Sequence, residues 1–142
     1  MKKKFYLDTA IWRDYFEDRK DGIRPLGEFA FQFLRECKRR GIEILVSDVV
    51  VIELETRLSK EQIKEIFSQF KNIVQKVDAN GEQVFEARKE WRKRNRALPF
   101  KDVLHAIIAR DNNAVLVTRD NHFFDLLASI VEVMRPEEIT LV

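Results

Sequence analysis

The sequence predicts an α/β fold with a central, mostly parallel sheet, on three observations. Short strand-like runs alternate with longer amphipathic helical stretches along the whole chain. One of those runs, Ala114 to Thr118, is short and continuously apolar up to its final threonine, the pattern of a strand buried in a parallel sheet. No Gly/Ser linker, low-complexity segment or internal repeat interrupts the alternation, so residues 1–142 are expected to form one domain.

Taken in order, Phe5-Tyr6-Leu7 is the first and central strand, ending at Asp8 and Thr9. Ile11 to Phe16 is a short helix or turn, and Arg19 to Arg24 a charged loop holding Gly22. Pro25 suits the first position of the next helix. That helix, Leu26 to Arg40, places Leu26, Phe29, Phe33, Leu34 and Cys37 on a shared face, and Gly41 stops it. Ile42 to Val46 is a second strand. Val49 to Leu58 follows as a helix capped by Ser47 or Asp48, despite valines that favour strand. Lys60 to Lys71 is an amphipathic helix capped by Ser59, and Ile73 to Val77 a short strand. After the Asn80-Gly81 turn comes a long helix, Glu82 to Arg96.

The helix behind Pro99 is the best marked. Val103, Leu104, Ile107 and Ile108 recur at steps of three and four, and Ala106 and Ala109 give it a small-residue face that can lie close to a sheet. Asp102 falls in its first turn, where a carboxylate suits the helix dipole. Asp111-Asn112-Asn113 breaks it, the Ala114 to Thr118 strand follows, and Arg119-Asp120-Asn121 closes that strand. Phe123 to Ser129 is a final short helix and Val131 to Met134 a last strand.

Composition narrows the class. Hydrophobic residues make up 45% of the 142, enough for a core and too many for a disordered chain. Charged residues reach 35%, above the usual quarter or so, which suits a highly soluble protein. The formal net charge of +2 gives no global argument for nucleic acid, so any basic surface must be local. The single Cys37 excludes an internal disulfide and fits a reducing cytoplasm. Asp8 interrupts the apolar run behind the basic start Met1 to Lys4, so no signal peptide is expected, and no stretch approaches a membrane span.

Four carboxylates fall at element ends: Asp8 after the first strand, Glu53 inside the helix after the second, Asp102 opening a helix, and Asp120 after a strand. In a parallel sheet the strand C-termini share one edge, where ligands of open α/β proteins bind. Carboxylates gathered there repel one another. A hard divalent cation, Mg²⁺ or Mn²⁺, relieves that repulsion and can activate water against a phosphate. An Asp after a strand is equally a turn former or helix cap, and spacing alone leaves both readings open.

The motifs resemble those of the PIN-domain family, the fold of the VapC-type toxin ribonucleases. YLDTAIW (Tyr6 to Trp12) is similar to the family's opening strand with its first Asp. VSDVVVIELE (Val46 to Glu55) resembles the segment bearing its Glu, with Glu53 in better register than Glu55. LPFKDVLHAIIARDNNAVLVTRDNHF matches most closely, with Asp102 as third acid and Asp120 as fourth, and VEVMRPEEI resembles the terminal strand and tail. The resemblance implies a three-layer α/β/α fold and a metal-dependent endoribonuclease that prefers single strands. It further implies Asp8, Glu53, Asp102 and Asp120 as catalytic and metal-binding residues, Mg²⁺ or Mn²⁺ as cofactor, and RNA as substrate. A small antitoxin protein and a second copy of the chain are the implied partners. Ala10, where Ser or Asn is common, and His122, where some members carry a further acid, depart from the pattern and bear on a second metal position.

Other residues are weighed beside these. Thr9 and Thr118 either hold the carboxylates through their hydroxyls, as in the family, or are plain strand-end residues. His105, one turn past Asp102, is read as a surface helix histidine, and with His122 it makes no zinc signature. Cys37 reads as a small buried hydrophobe. The run Arg88 to Arg96 either grips phosphates, with Trp91 free to stack on a base, or is a solvated helix face with Trp91 turned inward. Arg35, Lys38, Arg39 and Arg40 read as the wet side of a helix. Phe31 lies off the Phe29/Phe33 face and, with the other aromatics of the first third, marks an interface. The competing function class is a PIN-like module that binds RNA or protein without cutting. A receiver-like phosphotransfer protein ranks below both, because Leu7 and Thr9 flank Asp8 and Arg119, not lysine, follows the late strand.

Overall fold

The computed structural model describes residues 3–141, so Met1 and Lys2 of the basic start lie outside the described residues. The strands are β1 (Lys4–Leu7), β2 (Ile44–Ser47), β3 (Val74–Val77), β4 (Ala114–Val117) and β5 (Val133–Met134). All pair in parallel, in the order β3-β2-β1-β4-β5. The helices α1 (Thr9–Glu17), α2 (Leu26–Arg40), α3 (Asp48–Leu54) and α4 (Lys60–Ser68) occupy the β1–β2 and β2–β3 connections. α5 (Gly81–Lys93) and α6 (Phe100–Asp111) fill the crossover from β3 back to β4, and a π-helical turn (Phe123–Leu127) joins β4 to β5. The chain moves outward from β1 through β2 to β3 and then back past β1 to β4, and right-handed crossovers in these opposite directions put helices on both faces of the sheet. The result is the three-layer α/β/α arrangement, with β1 at its centre as expected.

The local sequence accounts for most boundaries. Phe5, Tyr6 and Leu7 are fully buried, as a strand covered on both faces requires. Gly41 ends α2 at φ 67°, its N–H reaching the carbonyls of Cys37 and Lys38. Ser47 caps α3 by accepting from the Val50 N–H at 3.2 Å. Ser59 with Gln62, and Asn80 with Gln83, form reciprocal capping boxes on α4 and α5. Ala106 and Ala109 of α6 are fully buried, so the small-residue face does lie against the sheet.

Several ends differ from expectation. Pro25 takes the N-cap of α2 rather than its first turn. The expected Val49 to Leu58 helix stops at Leu54, where the Thr56 hydroxyl takes the Glu53 carbonyl at 2.7 Å. The Glu82 to Arg96 helix ends at Lys93, because Asn95 and Arg96 turn to φ 55° and 56°. The Phe123 to Ser129 helix is a single π-turn. Gly27 of α2 is required by contact rather than by φ: a Cβ there would lie 2.6 Å from Asp18 Cα. Among the described residues no helix is long and apolar enough to cross a membrane.

Candidate metal centre

The β1 and β4 strands run side by side with Leu7 opposite Val117, so Asp8 and Thr118 leave the sheet together at its C-terminal edge. The Asp8 N–H donates to the Val117 carbonyl at 2.9 Å, which pins the start of the crevice. Asp8 stands at the N-cap of α1 yet makes no side-chain cap bond. Its Oδ2 instead accepts from the fully buried Thr118 hydroxyl at 2.9 Å. Thr118 Oγ1 in turn accepts from the Asp120 N–H at 3.1 Å, so one threonine fixes both strand-end acids. Burial raises the Asp8 carboxyl above its ordinary value; His105 and the Thr118 bond oppose this, and Glu53 and Asp120 add to it.

Glu53 arrives from α3, beyond β2 on the other side of β1. Its Oε1 accepts from the Thr9 hydroxyl at 3.0 Å and from His105 Nε2 at 2.5 Å. Burial would raise Glu53, but the hydrogen bonds from His105 and Thr9, with help from the Lys101 charge, hold it below the ordinary carboxylate value. Thr9 and Thr118 therefore both bond to site carboxylates.

His105 is not a surface residue. It is 1% exposed, and its Nδ1 meets the Tyr6 hydroxyl at 2.6 Å. The Tyr6 hydroxyl also lies 2.6 Å from Ser47 Oγ. One assignment satisfies every proton. Val50 N–H donates to Ser47, Ser47 to Tyr6, Tyr6 to His105 Nδ1, and His105 Nε2–H to Glu53. This chain runs from the cap of α3 through β1 to α6 and back to α3. It orients the Glu53 carboxylate from beneath. Burial also drives the Tyr6 hydroxyl well above its ordinary pKa, so it stays a proton donor.

Asp102 enters from the first turn of α6. Its side chain is only 14% exposed, and its Oδ2 is buried with no hydrogen-bond partner. Burial, then the charges of Asp8 and Asp120, push its carboxyl up to about 7. Asp102, Asp120 and His122 each offer a ligand atom, and these atoms lie within 4.8 Å of one another. His122 Nδ1 is 3.3 Å from Asp120 Oδ1 and 3.7 Å from Asp102 Oδ2. Of the four sequence-selected acids, Asp102 and Asp120 meet within ligand distance and are joined by His122; Asp8 and Glu53 stand at the same edge, each held by its own threonine. Arg119 braces the loop from behind, between Glu137 at 2.9 Å and buried Asp14 at 3.5 Å.

Two further expectations resolve here. Trp91 is turned inward: its N–H donates to the Leu98 carbonyl at 2.7 Å, and its ring packs edge-on to Phe100 at 5.9 Å. It is not free for base stacking. Cys37 is fully buried, a small hydrophobe as expected. A surface concavity of about 640 Å³ among Val51, Ile63, Phe67 and Val74 is lined by none of the four acids.

An open parallel sheet whose strand order turns at β1, with carboxylates gathered beyond the strand ends there, defines the class of α/β proteins that bind their ligands in that crevice. A PIN-domain family model matches residues 5–128, and the chain belongs to the PIN-domain family, a family of nucleases. No curated protein matches it in sequence. Solved structures share its fold. The VapBC2 complex of Rickettsia felis, bound to a DNA fragment from its promoter, matches at TM-score 0.68 and 19% identity, covering 93% of this chain and 98% of that one. DNA-bound VapBC from Salmonella typhimurium matches at TM-score 0.68 and 17% identity, covering 96% and 99%. FitAcB from Neisseria gonorrhoeae matches at TM-score 0.63 and 16% identity, covering 95% and 99%.

Proposed function

We propose that the chain is a metal-dependent endoribonuclease that hydrolyses phosphodiester bonds of single-stranded or structured RNA. In this reading it is the toxin of a VapBC-like toxin–antitoxin pair in the cytoplasm, homodimeric and silenced by a small antitoxin protein. The observation that carries the catalytic part is the unpartnered, buried Asp102 Oδ2 amid the charges of Asp8, Asp120 and Glu53. A pure binder gains nothing from such an arrangement, because each ionised acid raises the cost of the next.

The donor set fits a hard divalent cation: carboxylate oxygens with one imidazole at the rim. Asp8, Glu53, Asp102 and Asp120 would hold Mg²⁺ or Mn²⁺, with His122 beside them. The cation supplies Lewis acidity toward the scissile phosphate and an acidified water. The chain's own residues do the positioning. Thr118 presents Asp8, and Thr9 with His105 presents Glu53. With its carboxyl pushed up to about 7, Asp102 is about half protonated at neutral pH, and a bound cation would favour loss of that proton. The partner surface is supported by exposed Phe31, stacked on Tyr15 at 6.3 Å, with Phe16 nearby in sequence.

The test is cleavage of an unstructured and a hairpin RNA in Mg²⁺ or Mn²⁺, with and without EDTA. The expected result is internal cleavage that EDTA abolishes. Binding of RNA without any cleavage in either metal would move the chain to the non-cleaving module.

A further inference from the structure

Helix α5 carries a surface that the site does not use. Phe85 is 73% exposed, more than any other aromatic side chain among the exposed large hydrophobics. Arg88, Lys89 and Arg92 follow it at steps of three, four and seven, so they share its face of the helix. A shallow concavity of about 390 Å³ is lined by Phe85, Arg88, Lys89, Arg92 and Lys93 and by nothing else. The acids of this helix are mostly occupied. Glu86 holds Arg110 through two bonds of 2.6 and 2.7 Å, and Glu90 pairs with Arg94 at 3.6 Å and Lys93 at 3.7 Å. Arg88, Lys89 and Arg92 make no ion pair among the described residues.

An exposed ring followed along its helix face by three unpaired cations, with Glu82 alone before it, suits one kind of partner. A second copy of this face would bring like charges together, and an apolar partner would find a single ring. A single strand of nucleic acid offers phosphates to the cations and a base to the ring. The track runs along α5 from Phe85, beside the C-terminal end of α6 where Glu86 holds Arg110, toward Arg92 at the end that abuts the start of α6, where Trp91 bonds to Leu98 and packs on Phe100, two residues before Asp102.

We infer that the Phe85–Arg88–Lys89–Arg92 face of α5 is a docking track for single-stranded RNA, in which Phe85 stacks on a base and the cations hold phosphates. The inference rests on the ribonuclease reading and names how that enzyme holds its substrate.

The experiment measures binding of a fluorescent oligouridine to the full chain in EDTA, across a salt series, with duplex RNA as competitor. Phe85→Ala should weaken oligouridine binding roughly ten-fold or more, and Phe85→Trp should restore it. Arg88→Gln, Lys89→Gln and Arg92→Gln together should lower the salt slope by about two. Because these residues are exposed, the variants stay folded, as circular dichroism would show. Oligouridine binding that is unchanged in both variants overturns the track, and so does a change of sedimentation mass in Phe85→Ala, which would make this face a protein interface. Cleavage by the wild-type chain, measured separately, tells whether the catalytic reading has failed with it or still stands.

Discussion

Asp102→Asn separates a cation-holding acid from a structural one. In the metal-free protein the Asp102 carboxyl is held near 7, against an ordinary value of 3.8. At about 1.4 kcal/mol per pH unit, its ionised form is destabilised by at most about 4 kcal/mol. Water reaching the partly open crevice screens this, and about 2 kcal/mol is the working figure. The sign follows from linkage. A carboxyl raised on folding contributes stability below its unfolded pKa and loses it as pH climbs from about 4 through about 7. Metal-free wild type should therefore melt lower at pH 8 than at pH 5. Asn has the same shape without the charge, so the variant should hold its melting temperature over that range better than wild type. At pH 8 in EDTA it should melt about 6 °C above wild type; at pH 5 the gap should be narrower, and it should close only near pH 4. Mn²⁺ should raise the wild-type melting temperature at pH 8 and barely move the variant, whose RNA cleavage should be lost. A variant that melts lower than wild type at pH 8, or by the same margin at both pH values, would sink the repulsion argument. Cleavage at the wild-type rate would remove Asp102 from the mechanism.

Two other substitutions test the support of the site and of the fold. Tyr6→Phe deletes the hydroxyl between Ser47 and His105 Nδ1 and leaves the ring nitrogen bare in the core. It should cost about 1–3 kcal/mol in a denaturant melt, and Mn²⁺ titration should show weaker binding because Glu53 loses its fixed imidazole. Gly27→Ala forces a methyl against Asp18 Cα at 2.6 Å and the Asp14 carbonyl at 2.8 Å. The expected loss is about 1–3 kcal/mol of stability with metal binding unchanged, and an unaffected midpoint would mean that α1 and α2 slide apart freely.

What could be read in advance was mostly local. Asp8 and Asp120 follow apolar runs directly, so their place at a strand end needs only the strand. Asp102 sits behind Pro99, which marks a helix start on its own. The caps of α3 and α4 were legible for the same reason; Asn80, expected only in a turn, proves to cap α5, and the ends of α3 and α5 depend on Thr56 and on left-handed Asn95 and Arg96. His105 was misplaced because its burial depends on Tyr6, 99 residues away. A signal was available: it is the one polar residue in the run Val103 to Ala109, where every neighbour is apolar. A polar side chain in such a run is buried and must find partners. Phe85 stayed hidden for the opposite reason. An aromatic on an amphipathic helix is expected inside, and only the packing of α5 on α6 shows which face remains outside.

The strand order explains why these acids meet at all. From β1 the chain winds outward through β2 to β3, then crosses back past β1 to place β4 on its other flank. The neighbours of β1 therefore carry helices that depart in opposite directions, and a crevice opens above its C-terminal end. Asp8 lies at the floor of that crevice, with Asp120 reached from β4 on one side and Glu53 from α3 on the other. Asp102 completes the ring only because the crossover helix α6 begins at the same edge. Two side-chain tethers then reinforce the walls beyond the last strand pairs of the sheet. Thr118 ties Asp8 to the Asp120 loop, and the Ser47–Tyr6–His105–Glu53 chain ties α3 to β1 and α6. Mutual repulsion among the acids pushes these walls apart, and the tethers resist it. In the reading proposed above, a crevice held closed against its own charge would stay shaped for the cation, which would lower the reorganisation that binding requires.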